Sequence, residues 1–174
     1  MAPRPGVRRR AEPGGRTALA PEAACDPRAI RQAALEILAR RDHPTIELER
    51  KLEERGFANE AVGPVLQELA AKRFLDDDRY IEHFVSYHAA RGQGPVRIKA
   101  ELRQRGLPAG AIDRQLDGVA DWCARASTAR RKKFGMELPR DFRERAKQAR
   151  FLEYRGFSTE HIRAALEGDL ESDE

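Results

Sequence analysis

Aromatic residues are scarce in this chain, only 6% of 174 residues, which weighs against the ring-rich core of a large sandwich or barrel. Cysteine is nearly absent. Cys25 and Cys123 lie far apart with no paired spacing, so neither a disulfide framework nor a cysteine zinc site is expected. A reducing cytoplasm is the expected setting. No apolar run approaches the ~18 residues that a membrane span needs. Residues 1–20 carry five arginines and one glutamate but are broken by Pro and Gly. That pattern argues against a secretory signal and against an amphipathic transit peptide. Neither sign of charge dominates. Lys and Arg number 33 against 29 Asp and Glu, and the net +4 permits an anionic partner without requiring one.

Signatures of catalysis are missing too. No Gly-rich loop ends in Lys-Ser/Thr, so the chain is not expected to hydrolyse ATP. His83 and His88 are five apart, off the one-face spacing of a helical metal pair, and no zinc-protease Glu accompanies them. His88, on an apolar face, is expected to be a partly buried, hydrogen-bonded residue. Ser86, Ser127 and Ser158 lack a nucleophile-elbow context. A non-enzymatic protein without metal or cofactor is the expectation.

What the sequence does contain is repetition. Leu52-Glu53-Glu54-Arg55-Gly56-Phe57 returns as Leu102-Arg103-Gln104-Arg105-Gly106-Leu107 and as Leu152-Glu153-Tyr154-Arg155-Gly156-Phe157, at an offset of 50 residues both times. Residues 52–66 and 152–166 are identical at seven of fifteen positions. Each copy has the pattern of a helix, an Arg-Gly-apolar turn and a second helix, with the glycine placed for a left-handed helix end. The second helix starts near Asn59, Pro108 or Ser158. A further helix precedes each pair: roughly Pro27 to Arg40, Asp77 to Arg91, and Val119 to Phe134.

The expected fold is all-α, with three tandem three-helix repeats in an elongated, curved array. Each unit has little core of its own, so neighbours are expected to share apolar surface. The expected divisions are a disordered basic tail at 1–25, repeats at 26–71, 72–119 and 120–168, and an acidic tail at 169–174.

The middle repeat carries the most distinctive residues. Phe74-Leu75-Asp76-Asp77-Asp78-Arg79-Tyr80 and Phe84-Val85 are followed by Gly94-Pro95-Val96-Arg97-Ile98-Lys99-Ala100-Glu101-Leu102-Arg103-Gln104-Arg105-Gly106. This combination resembles the RecX family of bacterial recombination regulators, over about Ile30 to Leu166. Tyr87-His88 stand where family members often have a basic residue, and Pro44 where a helix-capping serine is common. The resemblance implies a monomeric, non-enzymatic regulator of the RecA recombinase in DNA recombination and repair. Such proteins bind RecA filaments on single-stranded DNA, lodge along the groove, and suppress filament growth, ATP hydrolysis and strand exchange.

Charge is graded along the repeats. Residues 22–71 carry a net −3, residues 72–121 a net +1, and residues 122–171 a net +4. With Leu152 facing inward, about 100° per residue places Arg143, Lys147, Arg150 and Tyr154 on one outward stripe. Three cations with an interleaved aromatic suit a phosphate track with a stacking platform. Arg130-Arg131-Lys132-Lys133 form a second cluster. A solvated face that keeps the protein soluble accounts for the same pattern. In the middle repeat Arg97 and Glu101 are spaced to pair, which leaves Lys99 and Arg103 as the better candidates for a partner. Asp76 to Asp78 fit helix capping, and the recurrent Arg55, Arg105 and Arg155 fit the carbonyl end of a helix. Three readings stay open: a regulator of a RecA–DNA filament, a stand-alone DNA-binding protein using the third repeat, and a scaffold that binds only protein.

Overall fold

The structure, a computed structural model, describes residues 21–167, and these form helices without strands. In chain order the helices are α1 (Pro21–Ala24), α2 (Pro27–Leu38), α3 (Thr45–Glu54), α4 (Asn59–Ala71), α5 (Asp77–Ala90), α6 (Pro95–Gln104), α7 (Ala109–Asp117), α8 (Trp122–Phe134), α9 (Phe142–Arg155) and α10 (Thr159–Glu167). Residues 1–20 of the expected tail at 1–25, and the expected acidic tail at 169–174, lie outside the described residues. The short α1 occupies residues assigned by sequence to the tail. It is tied down where Ala58 N donates to Ala24 O at 2.9 Å.

Helices α2–α4, α5–α7 and α8–α10 make three units, each opened by the same device. An aspartate accepts a backbone N–H in the first turn: Asp26 from Arg28, Asp76 from Arg79 and Asp121 from Ala124, at 2.8–3.0 Å. A carboxylate there satisfies an orphan donor and complements the positive helix end. The middle helix of each unit ends on a glycine with positive φ: Gly56 (95°), Gly106 (82°) and Gly156 (87°). The next amide then turns back. Phe57, Leu107 and Phe157 donate to the carbonyls of Leu52, Leu102 and Leu152 at 3.2, 3.3 and 3.1 Å. The left-handed turn expected from the repeat is therefore present three times.

Packing departs from one expectation. Every pair of helices in extensive contact belongs to a single unit, and each unit buries its own apolar cluster. Ile30, Leu48, Leu52 and Val62 centre the first, Ile81, Ile98, Leu102 and Ile112 the second, and Ala126, Leu152 and Phe157 the third. Trp122 packs against two clusters, the second and third. Its indole N–H donates to Leu116 O at 3.2 Å. The second and third units thus share an aromatic wedge rather than a continuous core. Three helices crossing at close range suffice to exclude water from the branched side chains between them.

The units meet through the ends of their middle helices. The N-terminus of α3 faces the C-terminal turn of α6, where Ile46 approaches Gly106. The N-terminus of α6 faces the C-terminal turn of α9 in the same way, with Gly94 against Gly156. Positive helix ends thereby meet negative ones.

Candidate nucleic-acid and partner interface

Helix α9 presents the candidate stripe. Asp141 caps it, accepting from Glu144 N at 2.8 Å, and buried Gln148 and Leu152 fix which face turns inward. Arg143, Lys147, Arg150 and Tyr154 are all exposed. The outward angle inferred from helical geometry is the observed one. The Lys147 ammonium lies 6.0 Å from the centre of the Phe134 ring, and the Arg97 guanidinium 5.7 Å from that of Tyr154.

The second cluster divides. Arg130 is buried, only 3% exposed, and donates to the carbonyls of Glu137 at 2.7 Å and Met136 at 3.2 Å. Burial, then the neighbouring Arg131, holds its pKa below the ordinary arginine range. Its expected place among partner-facing cations is corrected here. The side chain braces the loop between α8 and α9 and cannot present its charge to a partner. Arg131 is half-buried, whereas Lys132 and Lys133 are exposed.

In the middle unit Arg97 Nε donates to Glu101 at 2.8 Å, as its spacing predicts. Lys99 is committed as well, with its Nζ 2.5 Å from Asp113 on α7. That pair takes up the charge the sequence offered to a partner. Arg103 is exposed and joins no ion pair among the described residues. The recurrent arginines brace their surroundings. Arg55 approaches Glu36 at 3.9 Å, Arg105 donates to the Tyr80 hydroxyl at 3.1 Å, and Arg155 donates to Arg91 O at 3.2 Å. His88 is half-buried, 2.5 Å from Gln93 Oε1 and stacked on Phe84 at 4.0 Å. Among the described residues no cluster of three His, Cys, Asp or Glu could hold a metal, and no helix is long and apolar enough to cross a membrane.

Ion pairing sharpens the charge gradient. In the first unit Arg41 pairs with Glu47 at 2.6 Å, Arg50 with Glu54 at 3.4 Å, and Arg31 with Glu68. In the third unit Arg143, Lys147 and Arg150 form no ion pair among the described residues, nor do Arg125, Lys132 and Lys133. Arg140 pairs with Glu137, and Arg145 and Arg163 approach Glu167, so the basic end is compensated only in part.

A cleft of about 550 Å³ lies where the second and third units meet, between the end of α5 and one face of α8 and α9. Arg91, Arg125 and Arg155 line it together with Lys132 and Lys133. Sequence reasoning missed these three arginines. A signal existed, because Ala124, Thr128 and Lys132 recur every four residues as a small-and-cationic stripe. The opposing wall, contributed by α5 of another unit, left no local trace.

Known proteins divide along the same lines. Models described as the first, second and third three-helix domains of RecX match residues 31–69, 76–116 and 121–166. A Regulatory protein RecX of Halorhodospira halophila is 47% identical over 154 residues, covering 88% of this chain and 96% of that protein. One from Pseudomonas entomophila is 46% identical over 143 residues, covering 82% and 92%. The crystal structure of RecX from Lactobacillus salivarius shares the fold with a TM-score of 0.72 at 20% identity, covering 81% of this chain and 94% of that one.

Proposed function

Because the chain belongs to the RecX family of regulatory proteins, we propose that it binds the RecA–single-stranded DNA filament and restrains ATP hydrolysis and strand exchange. It does so as a cytoplasmic monomer, without catalysing a reaction itself. The observation that carries this reading is the stretch from Phe74 to Gly106. It holds the most specific family motif, lies largely within the match to the second RecX domain, and forms α5 and α6. Elements within it contact both neighbouring units, Asp77 on one side and Gly94 on the other. An array of this kind can span more than one subunit of a helical filament.

The test is RecA ATPase on single-stranded DNA with and without this protein. Inhibition is expected at less than one copy per RecA, because one bridge or end-cap restrains many subunits. Unchanged turnover at equimolar folded protein would refute it. A second reading, DNA binding by the third unit alone, is favoured by the unpaired cations of α8 and α9. It predicts oligonucleotide binding by the full chain with no effect on the ATPase.

A further inference from the structure

The cationic cleft between the second and third units gathers more charge than its one bond across the joint, Arg155 to Arg91 O, requires. Five cations line it, and its one carboxylate, Asp121, is already in use as a helix cap. None of the five forms an ion pair among the described residues. Gathering like charges around a concavity disfavours the folded state unless an anion relieves the repulsion. The three arginines are also held in place. Arg155 lies 5.2 Å from the Phe151 ring centre and donates to Arg91 O, Arg91 donates to the Tyr87 hydroxyl at 2.9 Å, and Arg125 lies 5.9 Å from the Trp122 ring centre. Planar forks fixed before binding lose little freedom when they engage phosphate.

The floor is made of small residues, Ala89, Gly92, Ala124 and Ala129, so a ligand can approach the backbone. A volume of about 550 Å³ falls in the range of sites that accept a whole small molecule or one segment of a polymer. Tyr87, 57% exposed, carries the Arg91 guanidinium 5.1 Å from its ring centre at the edge of the cleft. An exposed ring beside a fixed cation suits bases joined by phosphates. Carboxylate side chains of an acidic peptide have no face to stack.

We propose that this cleft is a binding site for the phosphodiester backbone of single-stranded nucleic acid, which is clamped jointly by α5 of the second unit and α8–α9 of the third. The site is distinct from the outward stripe on α9 and does not depend on the recombinase interaction. Since both units supply cations, occupancy fixes their relative position.

The experiment is titration of a labelled deoxythymidine oligonucleotide at several salt concentrations, with melts as fold controls. A variant with Arg91→Gln, Arg125→Gln, Lys132→Gln and Lys133→Gln should bind about tenfold more weakly or worse. It should also lower the magnitude of the salt slope by about 3, at roughly 0.7 for each phosphate no longer neutralised. Arg155 is spared because it bonds the joint. Thr128→Phe, which fills the cleft without changing charge, should weaken binding and leave the slope nearly unchanged. Arg143→Gln, Lys147→Gln and Arg150→Gln together should alter either quantity much less. An unchanged slope in the quadruple variant overturns the proposal, as does an equal loss in the stripe variant. Poly-glutamate competing as well as unlabelled oligonucleotide overturns the nucleic-acid assignment. If the quadruple variant loses oligonucleotide binding but still inhibits RecA, the cleft stands and is separate from the recombinase interaction. If inhibition is lost while oligonucleotide binding is intact, the cleft proposal fails and the regulatory reading survives.

Discussion

The two joints between units occupy the same place in the repeat yet are built from different parts. At the first, Asp77 of α5 reaches across to accept from Thr45 N at 2.8 Å and Thr45 Oγ1 at 3.0 Å. Asp42 lies 3.8 Å from Arg79 and 3.7 Å from His83. At the second, backbone meets backbone. Gly94 N donates to Arg155 O at 2.8 Å, and Val96 N to Gly156 O at 3.0 Å.

Two substitutions between repeats account for the difference: Thr45, which donates twice at the first joint, becomes Pro95, which has neither donor, and Pro44 becomes Gly94. Gly94 corresponds to Pro44 at the 50-residue offset. Glycine has an N–H to donate and no Cβ to keep the neighbouring turn away, whereas proline has a ring and no N–H. The first joint must therefore cap α3 with a side chain from the next unit. Asp77 is that cap, and it supplies what Pro44 cannot. Side-chain joints are adjustable; backbone joints are not.

The largest effect should come from the tight joint. A Cβ at Gly94 would sit 2.3 Å from Gly156 O and 2.4 Å from Phe157 N. Its φ of −87° is ordinary for any residue, so Gly94→Ala tests the close approach and not the turn. Overpacking against backbone should cost about 3 kcal/mol, read by urea or thermal melts. An unchanged melt would mean that the second joint is as loose as the first.

A smaller effect is expected at the first joint. Gly106 has φ +82°, and a Cβ there would lie 3.0 Å from the side chain of Ile46. Gly106→Val should cost roughly 1–2 kcal/mol or more through the left-handed backbone alone. Adding Ile46→Ala should relieve the steric part, because a side-chain end can move where backbone cannot. A cost as large as that of Gly94→Ala, with no relief from Ile46→Ala, would erase the distinction.

The smallest effect is one of pH, and it belongs to the first unit. His43 is 5% exposed beside the first joint. Burial, and then the Arg41 guanidinium, lowers its pKa; Lys51 adds to this, while Glu47 at 3.0 Å opposes it. The folded state thus favours neutral imidazole, and the unfolded chain takes up the proton first as pH falls. The stabilisation is complete above the ordinary histidine value and is lost as pH falls through the lower folded value. Hydrogen exchange should show α2 and α3 opening more readily near pH 5 than pH 7. His43→Asn should flatten that dependence. Equal acid sensitivity in α8–α10 would count against a local cause.

Much of the architecture was legible because it is written locally. A glycine after a periodic apolar segment, an aspartate before the next, and a 50-residue return report nearby hydrogen bonds and buried faces. The outward stripe on α9 followed from helical angle alone. Arg130 and Lys99 could not be placed that way. Arg130 faces inward because its guanidinium closes the loop after α8 on the carbonyls of Met136 and Glu137, and Lys99 finds Asp113 only once α6 and α7 have crossed.

Three helical units, their left-handed turns, their polarity of charge and their family are all written in the order of the residues. Each depends on residues within a few turns of one another, or on repetition that can be counted. Three further features arise only when the chain has folded. The units keep separate cores, Asp77 caps a helix 32 residues earlier, and five cations from two units surround one cleft. Those features rest on distances across the chain, and such distances are set only when the helices pack and the units dock.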